Sequence, residues 1–400
     1  MANGDPMADK VHLSAGAIAV GLAAIVLLGL EMSAERVELA TVRASAPELF
    51  SLKNQGLAFQ RAAARSPAVL PLYGSSELTA VLAPERAYIF FRAAPTGFQV
   101  SPVGAGGADP LIILQKVAAL GSDLRGKKIA ISLSPGWFLH PGPAWLRGYE
   151  GNFSSMAASE MAFGTALNFK LKRDIAARML KCPGTLEKNP LLELALKRLA
   201  SGGWLDCVIF CALWPLGKLQ TTLLELQDHW AASSYIRRKL GPGPSVHLQT
   251  PDWPKLIATF NRTQTTDQAT LPTASRLARH KNAQGGDSAF RKRMYASPGW
   301  IDLELLLRTL ARVHASPLLF SMPIAGDFFD REGVTRAARE DYYAKLRTVV
   351  QKYHFPLVEF KGHDEDPAFL YRHQSHLTAK GWIYYDRALD NFFHGRTPHT

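Results

Sequence analysis

Five short apolar runs, each stopping at a loop with glycine, serine or proline, restrict this 400-residue chain to few folds. They fall at 68–73 (AVLPLY), 97–103 (GFQVSPV), 128–133 (KIAISL), 317–322 (PLLFSM) and 356–360 (PLVEF). A sixth, 86–91 (RAYIFF), also reads as a strand. Segments with helical apolar spacing lie between or after them, at 110–120, 300–313, 336–352 and 381–393. Short apolar strands alternating with helices predict an α/β fold with a parallel sheet covered on both faces. In such sheets ligands bind beyond the carboxyl ends of the strands. The loops after the strands are therefore the place to look for chemistry.

Residues 155–240 differ in character. Met and Leu recur at three- and four-residue spacing with basic punctuation such as Lys172, Arg173 and Arg178, which predicts a helical insertion between strands. Within it, 204–216 is strongly apolar but too short to cross a bilayer easily. A buried core helix and a membrane-surface contact are both open readings. The polar stretch 262–296 reads as a long loop. The cysteines, Cys182, Cys207 and Cys211, are too few and odd in number for a disulfide scaffold. Cys207 and Cys211 are four apart and would share one buried helix face. With no CxxC pair and no partnering histidine spacing nearby, no metal site is expected, and no cofactor either.

Residues 11–30 are apolar except for His12 and Ser14, with Lys10 before them and Glu31, Glu35 and Glu38 after. About 20 such residues span a bilayer at ~1.5 Å each. The positive-inside rule leaves 1–10 as a short cytoplasmic tail, 11–30 as a transmembrane anchor and the remainder outside the cytoplasm. A cleaved signal peptide is the rival, but Glu31-Met32-Ser33-Ala34 makes a poor cleavage site. Residues 31–66, polar with Ala and Arg, read as a stalk leading to a domain over 67–396. Lys+Arg minus Asp+Glu is 46 − 34 = +12, which suits an anionic partner. Nucleic acid is not expected, because the basic residues are dispersed and no recognised binding module is visible.

Four loop motifs carry candidate chemistry. Tyr73-Gly74-Ser75-Ser76-Glu77-Leu78 places Ser76 just past a strand, where a helix would begin and the hydroxyl would be exposed as a nucleophile. Ser76 could equally cap that helix. Gly104-Ala105-Gly106-Gly107 could bring backbone N–H groups close to a ligand as an oxyanion hole, or could be a tight turn. It is no dinucleotide loop, because Asp109 stands where the third glycine belongs. Ser134-Pro135-Gly136-Trp137-Phe138 could wall a pocket mouth or seal the core. His376, in a loop before the last helix, is a candidate general base. The order serine, glycines, third loop and late histidine is that of SGNH-type hydrolases, and the G-x-S-x-G elbow of α/β-hydrolases is absent.

These blocks, YGSSEL (73–78), GAGG (104–107), KKIAISLSPGWF (127–138) and HQSHLTAKGW (373–382), together resemble the DltD family of the system that D-alanylates bacterial envelope polymers. The segments 302–306 (DLELL) and 322–330 (MPIAGDFFD) look like family segments too, and the resemblance is thin in the insertion. It implies an SGNH-hydrolase-like (flavodoxin-like) three-layer α/β/α fold with a helical insertion at about 155–240 and one amino-terminal transmembrane helix. Ser76 matches the family nucleophile and His376 its base. Gly107, with Gly106 as the near alternative, matches an oxyanion donor. The implied partners are a membrane-bound O-acyltransferase, a D-alanyl carrier protein on the cytoplasmic side, and an anionic envelope glycopolymer.

Two positions depart from the family pattern. His373 stands where an Asp is expected, so the acid behind the base would be Asp366, Asp364 or Glu365, or the site would be a Ser–His dyad. Gly136 stands in place of a Gln, which removes a side-chain donor beside Trp137. The Ala- and Arg-bearing composition and the missing Gln point to a Gram-negative branch with a periplasmic domain. Three functions fit: acyl transfer to a polymer hydroxyl, esterase or thioesterase action on the acyl donor, and a non-catalytic scaffold for the acyltransferase.

Overall fold

Successive side chains of a strand point to opposite faces, and here both faces are buried. In the computed structural model, which describes residues 6–79, 83–93, 96–139, 143–243, 248–267, 286–371 and 376–398, the five runs become five parallel strands. They are β1 (Val69–Tyr73), β2 (Gln99–Val103), β3 (Lys128–Leu133), β4 (Ser316–Ser321) and β5 (Leu357–Glu359), in the order β2-β1-β3-β4-β5. Ile129, Ile131, Leu133 and Leu319 join one apolar cluster with the Pro110–Leu120, Gly299–Arg312 and Arg336–Gln351 helices. Ala130, Leu318, Phe320 and Val358 join the other with the Ala87–Ala93 and Ala379–Phe393 helices. The near-continuous apolar runs are the consequence of having no water on either side.

The 86–91 run is not a strand. It lies in the Ala87–Ala93 helix, which buries Ala87, Tyr88 and Phe91 and leaves Arg92 exposed. The reason is topological: β1 and β2 are parallel neighbours, so the chain between them must cross back over the sheet. Aromatic composition suited either structure, and the crossover decided.

The helical insertion is present between β3 and β4 and is larger than 155–240. Ser155–Phe163, Phe169–Met179 and Pro190–Ser201 open with Ser154, Asn168 and Asn189, whose side chains accept from the backbone N–H of Ala157, Leu171 and Leu192. Its apolar residues share one cluster with the sheet, so it is part of the same core. A buried pair fastens it there: Arg178 donates to both oxygens of Asp302, at 2.7 and 2.8 Å, and Asp302 is fully inaccessible. The predicted loop 262–296 shrinks from both ends, because the Trp253–Asp267 helix runs into it and the Gly286–Ala296 helix leaves it.

Residues 31–66 are no free stalk. The first helix runs unbroken from Pro6 to Ser45 and its end packs into the body. Lys53 is buried and donates to the carbonyls of Ala46 (2.8 Å) and Ser45 (3.3 Å), satisfying that helix's terminus. Asp228 accepts from the backbone N–H groups of Leu57 and Ala58, at 2.7 Å each, at the start of the Ala58–Arg65 helix. Residues 204–216 also differ from the buried-core reading. They begin a 36-residue helix, Trp204–Lys239, in which Cys207 is half-buried and Cys211 exposed. Among the described residues this helix and the Ser14–Ser45 stretch are long and apolar enough to cross a membrane.

Asp302→Asn would leave the Arg178 guanidinium buried without its counter-charge. A loss of about 3–5 kcal/mol is expected, read as a lowered Tm of the detergent-solubilised chain; an unchanged Tm would contradict the role given to this pair.

Candidate active site

β1 ends at Tyr73, and the next two residues are held tightly. The Gly74 N–H donates to Val103 O at 3.2 Å, and the Gly74 carbonyl lies so close to Gly104 that a Cβ there would come within 2.2 Å of its oxygen. Ser75 is buried, its N–H donating to Glu77 Oε1 at 2.7 Å. Burial pushes the Glu77 carboxyl up to about 7. Ser76 then opens the short Ser76–Thr79 helix and is half-buried.

His376 comes from the far end of the chain. An antiparallel bridge pairs Leu370 with Leu377, and the Tyr371 N–H donates to His376 O at 2.7 Å. Thr378 caps the Ala379–Phe393 helix and ties back to Ala368 O at 2.5 Å. Fixed from both sides, His376 places Nε2 3.0 Å from Ser76 Oγ, across 300 positions of sequence. With a hydroxyl donor, that nitrogen is the acceptor of a neutral imidazole, the arrangement a general base requires. Desolvation favours the neutral form and holds the ring below its ordinary value.

The glycine loop meets the same serine. A Cβ on Gly106 would lie 3.9 Å from Ser76 Cβ. Gly107 has φ +83°, and a Cβ there would come within 2.9 Å of Gly148 Cα. Asn152, which sequence reasoning missed, donates from Nδ2 to Gly106 O at 3.0 Å and to Gly148 O at 2.9 Å. Its signal was the four-residue spacing Gly148–Asn152, which puts both on one helix face. Among the described residues no acceptor engages the backbone N–H of Gly106 or Gly107.

The third loop contributes from behind. Gly136 begins the Gly136–Leu139 helix and is half-buried. Trp137 is buried rather than open to the cleft. Its Nε1–H donates to Ala108 O at 2.8 Å, propping the glycine loop, and its carbonyl accepts from Ser297 Oγ at 3.1 Å.

Asp366 is not brought to His376. Its carboxylate lies 2.7 Å from Lys380 Nζ and 3.6 Å from His363 Nδ1, and accepts the Ala368 N–H at 3.0 Å. The neighbouring His363 ring and the Lys380 ammonium hold it well below the usual carboxylate range. Asp364 accepts from Tyr343 Oη (2.6 Å) and Ile324 N (3.0 Å), and Glu365 pairs with Arg339. Each candidate acid is thus engaged by partners other than His376. Among the described residues the arrangement at Ser76 is a dyad; His373 lies outside them.

A family model described as DltD protein matches residues 46–394, a span that contains Ser76, the glycine loop and His376. This chain belongs to the DltD family. It is 29% identical over 363 residues to Protein DltD of Bacillus subtilis (strain 168), covering 88% of this chain and 89% of that one. It is 24% identical over 331 residues to Protein DltD of Staphylococcus aureus (strain NCTC 8325 / PS 47), covering 81% of each. Lacticaseibacillus rhamnosus Protein DltD is 22% identical over 300 residues, or 72% of this chain and 69% of that relative. The family match runs through the insertion, where the quoted motifs are sparse.

Two outcomes follow from this geometry. Gly107→Ala forces a side chain into left-handed backbone and against Gly148, at an expected cost of about 1–3 kcal/mol, measurable by equilibrium unfolding against the parent chain. Because only neutral His376 can take the serine proton, labelling of Ser76 by a fluorophosphonate should stay on its plateau down through the ordinary imidazole value of about 6.5. It should fall only at lower pH, and an acid limb centred above neutrality would exclude this base.

Proposed function

We propose that this protein is a membrane-anchored serine acyltransferase with an SGNH-like site, transferring an acyl group, D-alanyl by family resemblance, to an envelope glycopolymer. The 3.0 Å contact between Ser76 Oγ and His376 Nε2 carries the reading. His376 takes the Ser76 proton as the oxygen attacks the donor's acyl carbonyl. Backbone N–H groups of Gly106 and Gly107 receive the developing oxyanion. The donor's leaving group takes the proton from His376, and an acyl-Ser76 ester remains. A polymer hydroxyl then attacks that ester, its proton going to His376 and returning to Ser76.

The strand order supports the SGNH-like assignment. In the order 2-1-3-4-5 the chain runs from β1 out to β2 and then back past β1 to β3, so the strand order reverses beside β1, and such sheets bind ligands at that switch point. Ser76, Gly106 and Gly107 follow β1 and β2 directly. The long helix at Ser14–Ser45, with its apolar first half, supports an anchor, and the charges flanking 11–30 favour a domain outside the cytoplasm. The net charge of +12 suits a polyanionic acceptor. A membrane-bound O-acyltransferase fed by a D-alanyl carrier protein would supply the activated donor.

Hydrolysis is the second reading. It is favoured by the dyad, whose acyl-serine water can open as readily as a polyol if no acceptor is held. Ser76→Ala in a strain dependent on this protein should reduce envelope ester to the level of a deletion, with the protein still folded. Full ester in that strain would refute serine catalysis and favour a scaffold. Supplying the purified chain with an acyl thioester, with and without a polyol, separates transfer from release of free acid.

A further inference from the structure

The Trp204–Lys239 helix is amphipathic in reverse. Up to its last turn its charged side chains face the protein: Asp206 pairs with Arg198, Lys218 with Glu160, Glu225 with Arg61 and His229 with Glu38. Its outward face is apolar. Between Trp204 (80% exposed) and Trp230 (73%) the exposed large side chains include Leu205, Val208, Leu216, Leu219 and Leu223, spaced to form one stripe. No exposed residue from 204 to 236 carries a charge. A helix turned to water has the opposite pattern.

We propose that this helix lies in the membrane interface, its outward face among the acyl chains of the leaflet from which the first helix emerges. The inference rests on the anchor reading of that first helix. Continuity with its lipid-facing surface is the first argument. Exposed apolar side chains continue along it past Glu31, as Met32, Val37 and Leu39, down to its crossing with the long helix at Glu38 and His229. The crossing is 38 − 30 = 8 residues beyond Leu30, ~12 Å along the axis. The chemistry of the stripe is the second. A protein partner of stable kind needs a hydrogen bond for every 100–200 Å² or so, whereas the exposed face from Trp204 to Trp230 offers Thr222, Gln227 and Cys211 as its polar side chains. Acyl chains ask for none. Trp204 at the start, Trp230 toward the end and the exposed Arg237-Arg238-Lys239 in the last turn match the interface and its anionic headgroups. A second membrane contact would stop the domain from swivelling on a single helix and would hold the Ser76 cleft at a fixed orientation to the bilayer.

The full chain is reconstituted in phosphatidylglycerol/phosphatidylcholine vesicles, with or without brominated acyl chains, and tryptophan emission is compared. The eight tryptophans include none in the first helix, so quenching reports on the domain. Trp204 and Trp230 should be quenched, and the double variant Trp204→Phe/Trp230→Phe should lose more than half of the quenching. Equal emission in both vesicles, or quenching unchanged in the double variant, overturns the proposal, whether water, a second copy or another protein covers the face. Leu27→Trp added to the double variant tests the anchor separately. If it is quenched while Trp204 and Trp230 are not, the interfacial helix is wrong and the anchor stands. If Trp204 and Trp230 are quenched and it is not, the interfacial helix stands and the anchor falls.

Discussion

Parallel pairing of β1 with both β2 and β3 is the constraint from which the rest follows. Tyr73 sits opposite Val103 on one side and Ile131 on the other, so the three strands finish on one edge. Their loops then compete for the same small volume. Ser76 is three residues beyond one strand end, and the glycine loop starts immediately after the next. The 2.2 Å that a Cβ on Gly104 would leave to the Gly74 carbonyl measures how tightly the two loops are pressed together. Glycine at 104 is a condition of the sheet closing at that edge.

Around this edge the structure spends buried polar groups on holding loops. Glu77 fastens the Ser75 backbone, and burial raises its carboxyl to about 7. Asp109 caps the Pro110–Leu120 helix by accepting the Ile112 N–H at 2.8 Å, and burial raises it to about 7 as well. Trp137 braces the glycine loop from behind, and Asn152 binds it from the insertion side. Each of these contacts lowers the freedom of the backbone that surrounds Ser76, which is how a scaffold prepares a site before substrate arrives. The carboxylates upstream of His376 follow the same economy: they fix turns and cations, and the imidazole is oriented by backbone contacts on either side of it.

The insertion adds a surface of a different kind. Its helices share the core with the sheet through contacts such as Arg178–Asp302, yet the longest of them turns its apolar side outward. Apolar residues at helical spacing are selected equally by a protein core and by lipid, so 204–216 could not be assigned from its pattern. The charged residues along the whole helix carried the missing information, because Asp206, Lys218 and Glu225 all find partners within the protein.

Local chemistry in the sequence determined the strand runs, the helices at 110–120, 300–313, 336–352 and 381–393, the turn glycines, and the positions of Ser76 just past a strand and of His376 just before the last helix. A strand buried on both faces, a cap and a left-handed turn each leave a residue pattern within a few positions. Tertiary structure alone decided what depended on distant neighbours. It made 86–91 a helix because a parallel crossover was needed there. It absorbed residues 31–66 into the body through Lys53 and Asp228. It also gave Asp366 to Lys380, and it brought Asn152 to Gly106 and Ser76 to His376. Such contacts join groups from several to hundreds of positions apart, and nothing in a local pattern records which of several equally suited partners the fold will deliver.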